Sequence, residues 1–133
     1  RGMGAGDNLR AMYLTRSISE ISSLSILLGG RRETCFGLAG VGDLIVTCFS
    51  EHSRNQRARL YIGQGETVVE ALRHVGAAVE GYYAADSIEH LARELRIDMP
   101  ICSAIYRVLY KGHPAAEEIA PLMRRAGFSE FRQ

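Results

Sequence analysis

The sequence predicts an all-α fold, a compact multi-helix domain, and three kinds of observation support this prediction. Apolar residues recur at spacings of three and four along several segments, which places them on one face of a helix. Residues that cap helices stand before those segments, and glycines or prolines bound them. We therefore expect a single domain over 1–133, with a frayed tail from about residue 127.

The first predicted helix begins at Asp7 or Asn8, either of which can cap it, and Gly29-Gly30 ends it. Its apolar stripe consists of Ala11, Leu14, Ile18, Ile21, Leu24 and Leu28. A short segment, 33–38, leads into a glycine cluster at Gly37, Gly40 and Gly42. Residues 43–49 follow as a helix or a buried strand, because Leu-Ile-Val does not distinguish the two.

Capping signals define the next two helices. Ser53 caps a helix that runs through Ile62 and stops at Gly63. Thr67 and Glu70 have the spacing of a capping box, which opens a short helix to about Val75. Residues 76–81 are expected to form a break.

Three further helices are predicted in the rest of the chain. The first begins at Tyr82 and has an apolar stripe of Ala85, Ile88, Leu91 and Leu95. Pro100 opens the second, which ends near Gly112, and Pro114 opens the third. The third has two glutamates early and two arginines late, as the helix dipole favours.

Composition and charge exclude several classes of protein. With 47% hydrophobic and 23% charged residues, the chain has the composition of an ordinary globular protein. A formal net charge of +1 argues against a nucleic-acid partner, and no apolar run is long enough to insert into a membrane. Three scattered cysteines predict buried, free thiols in the reducing cytoplasm, and four scattered histidines predict no metal site.

Three polar stretches are candidates for chemistry. Asp43 leads directly into an apolar run and, if it starts a helix, has Thr47 one turn further on the same face. Ser53, Arg54 and Asn55 occupy a predicted helix start, where free N–H groups, the helix dipole and a planar guanidinium favour phosphate. The third candidate is the acid at the centre of Val-Glu-Gly, residues 79–81.

Each candidate also has a purely structural interpretation. Asp43 could merely cap its helix while Thr47 bonds back to the main chain. Ser53 could be a helix cap followed by a solvated Arg54, and Glu80 a helix-terminal charge in a loop. For each stretch taken alone, the residues favour these structural interpretations.

Taken together, eight stretches carry a family resemblance: GMGAGDNLRAM, LTRSISE, GLAGVGDLIVTC, SRN, IGQG, VEGYY, MPI and YRVLY. In this order and spacing they resemble bacterial NAD(P)-dependent glycerol-3-phosphate dehydrogenase, specifically its C-terminal substrate-binding domain. The resemblance runs from Gly2 to about Arg125, and the pair GLAGVGDL and SRN is its most specific part.

The resemblance implies roles for the candidate residues. Asp43 and Thr47 would belong to the catalytic site, where Asp43 supports a lysine that handles the proton. Ser53, Arg54 and Asn55 would hold the substrate, chiefly its phosphate. The cofactor, NAD(P)H, would be bound mainly by an N-terminal Rossmann domain, with Arg54, Ala78 and Glu80 completing its pocket.

The family reduces dihydroxyacetone phosphate to sn-glycerol 3-phosphate for glycerophospholipid synthesis. Neither the catalytic lysine nor the glycine-rich dinucleotide fingerprint matches a position of this chain. We therefore expect the chain to partner with a Rossmann domain of its parent protein and to be inactive alone. A homodimer is left open. The alternative from a different class is a non-catalytic helical module for dimerisation or partner binding.

Overall fold

The computed structural model describes residues 7–50, 53–77 and 79–125, and these residues are mostly helical with no strand among them, which confirms the predicted all-α class. In chain order the elements are α1 (Asp7–Leu27), α2 (Arg32–Phe36), a π-helix (Leu38–Gly42), α3 (Asp43–Phe49), α4 (Arg54–Gly63), α5 (Val68–Val75), α6 (Glu80–Leu95), α7 (Pro100–Lys111) and α8 (Ala115–Arg125). Packing divides the chain into two compact units, 1–84 and 85–133. The single domain over 1–133 stays a prediction, and its tail from about 127 lies outside the described residues.

The first unit is held together by successive helices that pack on their neighbours along the chain. α1 packs against α2, α2 against the π-helix, the π-helix against α3, and α4 against α5. A buried cluster of Ala58, Val75 and Val79 lies beneath Tyr61, Leu72 and Tyr82. Of the stripe predicted for the first helix, Leu24 is buried and Ile21 is 38% exposed, while Leu28 lies just beyond the end of α1; Leu27, the last residue of α1, is 56% exposed. This unit therefore keeps an apolar surface on α1.

The ambiguous segment 43–49 is a helix, and it continues directly from the π-helix. The backbone N–H of Asp43 donates to the carbonyl oxygens of Gly40 and Leu38. Gly40 is required at the centre of this turn, because a Cβ there would collide with the backbone carbonyl of Cys35. The glycine cluster thus lets the chain coil tightly into α3.

The caps predicted for α4 and α5 are present. The Ser53 hydroxyl accepts the N–H of Gln56 at 3.3 Å, and Thr67 and Glu70 form both hydrogen bonds of the capping box. α6, however, begins at Glu80 rather than at Tyr82. The break that was predicted over 76–81 therefore ends before Glu80.

The second unit contains the rest of α6 together with α7 and α8, and α7 packs against α8. Glu89 is buried in this unit and accepts hydrogen bonds from Ser103 at 2.7 Å and Arg93 at 2.8 Å. Burial by itself would raise the pKa of Glu89, but these hydrogen bonds outweigh it and leave the pKa below its ordinary value. The carboxylate therefore stays charged although it is buried.

A second charged group joins α7 to α8. Arg107 donates two hydrogen bonds to Glu118, at 2.9 and 2.7 Å, and the His113 ring nitrogen Nδ1 lies 2.7 Å from the same carboxylate. The Arg107 hydrogen bonds, assisted by His113, lower the pKa of Glu118 from 4.5 to about 2. Two parallel hydrogen bonds between a guanidinium and a carboxylate form a bidentate ion pair, which is stronger than a pair with a single contact.

This group predicts a pH dependence of stability. Because the pKa of Glu118 is depressed in the folded state, its contribution is present above pH 4.5 and is lost as pH falls through about 2. Glu118→Gln in chain 1–133 should lower the free energy of unfolding at neutral pH, and the difference from the parent should shrink across this window. Urea unfolding followed by circular dichroism measures it. Glu117→Gln, at an exposed neighbour, is the control; pH profiles that run parallel for Glu118→Gln and the parent would contradict the assignment.

Candidate functional site

A cleft of about 740 Å³ opens in the first unit, between α1, α2, the π-helix, α3 and the starts of α4 and α6. Six of the residues singled out from the sequence line it: Asp43, Thr47, Ser53, Arg54, Asn55 and Glu80. The seventh, Ala78, lies outside the described residues. The fold thus brings together three stretches that are well separated along the chain.

Asp43 and Thr47 lie on α3, one turn apart, and both line the cleft. The Asp43 side chain is exposed, and Thr47 is half-buried. Because α3 continues from the π-helix, it has no free N-terminus for Asp43 to cap, and no side-chain cap bond is formed there. The Asp43 carboxylate therefore does not cap α3, which was the structural interpretation of this residue.

The start of α4 presents hydrogen-bond donors to the same cleft. Ser53 is the N-cap residue: its hydroxyl oxygen accepts a hydrogen bond from the Gln56 N–H, and its carbonyl oxygen accepts one from the Arg57 N–H at 3.0 Å. The N–H groups of Arg54 and Asn55 belong to the first turn, which intrahelical hydrogen bonds do not reach. These groups, with the dipole of a ten-residue helix behind them, favour an anion.

Arg54 faces Glu80 across the mouth of the cleft. Its Nη2 lies 3.5 Å from Oε1 of Glu80, and the two side chains are 45% and 81% exposed. A long, exposed ion pair contributes little to stability, so the guanidinium remains available to a ligand. Glu80 lies in the first turn of α6 and not in a loop, where the helix dipole favours a carboxylate.

Sequence inspection missed a further wall of the cleft on α1 and α2. Its polar members are Ser17, Ser25, Thr34 and Cys35, beside the apolar Ile18 and Ile21. Ser17 and Ser25 share the face of the apolar α1 stripe, because they lie four positions before and four positions after Ile21. Small hydroxyls interrupting an apolar stripe are the signal that could have identified this wall.

Three further features of the described residues concern metal binding, free thiols and membrane-spanning helices. No group of His, Cys, Asp and Glu among them has an arrangement that could hold a metal ion. Cys35, Cys48 and Cys102 are free thiols, of which Cys102 is buried and the other two are half-buried. In the same part of the chain, no helix is both long and apolar enough to cross a bilayer.

The fold and the cleft define a helical domain in which several hydrogen-bond donors and two carboxylates, those of Asp43 and Glu80, line one cleft. A family model described as the C-terminus of NAD-dependent glycerol-3-phosphate dehydrogenase matches residues 1–120. The chain belongs to this family, as the sequence resemblance predicted.

Similar proteins agree with this assignment. The chain is 48% identical over 130 residues to a glycerol-3-phosphate dehydrogenase (NAD(P)+) from Lacticaseibacillus casei, and 50% identical over 129 residues to one from Staphylococcus carnosus. It also resembles a crystal structure of glycerol-3-phosphate dehydrogenase from Coxiella burnetii, with 37% identity and a TM-score of 0.89 over 93% of this chain. The chain spans only 37%, 39% and 38% of these three proteins, respectively, while nearly all of the chain is covered.

Proposed function

We propose that the chain is the substrate-binding part of an NAD(P)-dependent glycerol-3-phosphate dehydrogenase, which reduces dihydroxyacetone phosphate to sn-glycerol 3-phosphate. The observation that carries this proposal is one cleft that holds an acid at the start of α3, donors at the start of α4 and a second acid at the start of α6. A phosphorylated three-carbon ketone needs both an anion site and polar groups near its carbonyl. Membership of the family supports the choice of this reaction.

The start of α4 is assigned to the phosphate. The Arg54 guanidinium can donate two parallel hydrogen bonds to phosphate oxygens, and the first-turn N–H groups add uncharged donors. Asn55 contributes its side-chain amide, and Ser53 holds the turn in place as its cap. This arrangement leaves the carbon chain of the substrate to extend along the cleft towards α3.

Asp43 and Thr47 are assigned to the reacting end of the substrate. An exposed carboxylate can hold a lysine ammonium close by and keep it protonated and oriented. We place that lysine in the remainder of the parent protein, and Thr47 one turn on supplies a hydroxyl to the same wall. Asp43 thus acts by orienting the proton donor and does not itself react.

The cofactor, NAD(P)H, supplies the hydride when it is bound. Arg54 and Glu80 suit the mouth of its pocket: the carboxylate can accept hydrogen bonds from sugar hydroxyls and the guanidinium can meet a phosphate. Ala78 is proposed as a third contact. An N-terminal Rossmann domain would hold most of the cofactor. A second copy of the protein is a further proposed partner. The product, sn-glycerol 3-phosphate, would serve glycerophospholipid synthesis in the cytoplasm.

The test is turnover by the full-length protein that contains this chain. We expect NADH or NADPH to be consumed with dihydroxyacetone phosphate, sn-glycerol 3-phosphate to form, and unphosphorylated dihydroxyacetone to be a much poorer substrate. Chain 1–133 alone should be inactive, since it would lack the hydride carrier's domain and the lysine. A folded full-length protein that consumes neither cofactor would exclude the dehydrogenase and favour a non-catalytic helical module.

A further inference from the structure

Helix α6 begins without a cap of its own. The residue before it, Val79, has no side-chain oxygen and is 5% exposed within the buried cluster of the first unit. The N–H of Gly81, in the first turn, therefore needs an acceptor from elsewhere. Asn55 supplies it: its Oδ1 accepts the Gly81 N–H at 3.1 Å. One side chain thus joins the start of α4 to the start of α6.

This hydrogen bond fixes which way the Asn55 amide faces. A backbone N–H can be met only by the oxygen of the amide, so Oδ1 is committed to Gly81 and the two hydrogens on Nδ2 remain for another partner. The Asn55 side chain is exposed and lines the cleft. In this orientation Asn55 is a hydrogen-bond donor towards a ligand.

Gly81 allows this approach because it has no Cβ. A Cβ at that position would lie 3.1 Å from Oδ1, 3.3 Å from Cγ and 3.4 Å from Nδ2 of Asn55. The amide would have to move by a few tenths of an ångström, which weakens its hydrogen bond to the main chain. Gly81 is otherwise an ordinary helical residue, at which alanine has the higher helix propensity.

We propose that Gly81 is a positioning residue that presents Asn55 to the substrate as a donor only, so that the start of α4 selects a fully ionised phosphate group. Arg54, the first-turn N–H groups and the Nδ2 of Asn55 then all donate, and a dianionic phosphate, which only accepts, satisfies them together. Because Glu80 precedes Gly81 in α6, the Asn55–Gly81 hydrogen bond also fixes the position of Glu80, the proposed cofactor contact, relative to the phosphate site at the start of α4. The inference rests on the proposed function and deepens it.

The substitution Asn55→Asp distinguishes two roles of Asn55: a hydrogen-bond donor to the substrate, and an acceptor that caps the start of α6. An aspartate keeps an oxygen for the Gly81 N–H and suits a helix start, but it replaces the Nδ2 donor with a second negatively charged oxygen. In the full-length protein we expect the KM for dihydroxyacetone phosphate to rise by roughly tenfold to a hundredfold with thermal stability unchanged. A residue that only caps α6 would leave the KM at the parent value.

Gly81→Ala tests the positioning role itself. We expect the KM to rise several-fold and kcat to change little, whereas a merely structural glycine would give a more stable helix with unchanged kinetics. If Gly81 acts through Asn55, adding Gly81→Ala to Asn55→Asp should raise the KM no further. Additive effects of the two substitutions on the KM would overturn the proposal.

Gln64→Glu provides the matched control. It makes the same amide-to-carboxylate change at an exposed residue at the other end of α4, outside the cleft, and its KM should equal the parent's. The parent is measured first: absence of any turnover defeats the proposed function as a whole. A parent that turns over while Asn55→Asp keeps its KM defeats only the inference about Asn55 and Gly81.

Discussion

Replacing Asp43 by asparagine in the full-length protein is expected to lower kcat by roughly a hundredfold or more, while the KM for dihydroxyacetone phosphate changes much less. The asparagine has the same shape but no charge, so the proposed lysine would lose the group that orients it and favours its protonated form. The fold should be unaffected, because the Asp43 side chain is exposed and caps nothing. Steady-state kinetics with saturating cofactor measure the change.

The pH profile makes the Asp43 prediction specific. Removing a carboxylate beside a lysine lowers the pKa of that lysine, so the alkaline limb of kcat should move to lower pH in Asp43→Asn. Asp98→Asn, the same change at an exposed residue of the second unit, should leave both kcat and its pH profile at parental values. An unaltered alkaline limb in Asp43→Asn would show that Asp43 does not act on the proton donor.

Local chemistry explains why so much of the fold could be predicted from the sequence. The Thr67 and Glu70 capping box forms as its spacing predicts, because both partners lie within one helical turn. Gly76 and Gly112 end α5 and α7 in the left-handed conformation that glycine adopts readily, each with φ of 68°. Such signals depend on neighbours in sequence alone, and so they can be identified without the tertiary structure.

The parts that were missed depend on contacts that are distant in sequence. α6 begins at Glu80 because Asn55, from another helix, accepts the Gly81 N–H, and residues 79–81 contain no sign of that acceptor. The π-helix depends on the close approach of Gly40 to the Cys35 carbonyl, which a glycine cluster allows but does not specify. In the site, the roles proposed for Asp43 and Arg54 rest on family resemblance, whereas the cleft that both residues line is formed by the packing of helices that are distant in sequence.

Arg54→Ala in the full-length protein is expected to lower kcat/KM for dihydroxyacetone phosphate by roughly tenfold to a hundredfold. The substitution removes a charge-assisted and bidentate contact to phosphate, and hydrogen bonds to charged groups contribute ~1.5–3 kcal/mol. Arg54→Lys should recover only part of the loss, because an ammonium cannot reproduce the planar fork. Stability should hardly change, since the ion pair that Arg54 makes with Glu80 is exposed and 3.5 Å long.

A control variant and a control substrate test whether the loss of kcat/KM in Arg54→Ala comes from weaker binding of the substrate phosphate. Arg57→Ala removes an arginine one turn along α4 that is exposed and does not line the cleft, so its kinetics should match the parent's. With dihydroxyacetone, which has no phosphate, and with saturating cofactor, Arg54→Ala should lose much less kcat/KM than with dihydroxyacetone phosphate, because the contact to the substrate phosphate has no counterpart in dihydroxyacetone. An equal loss with both substrates would place Arg54 on the cofactor and not on the phosphate. Equal kinetics for Arg54→Ala and the parent with dihydroxyacetone phosphate well below saturation would leave Ser53-Arg54-Asn55 as a helix cap with a solvated charge.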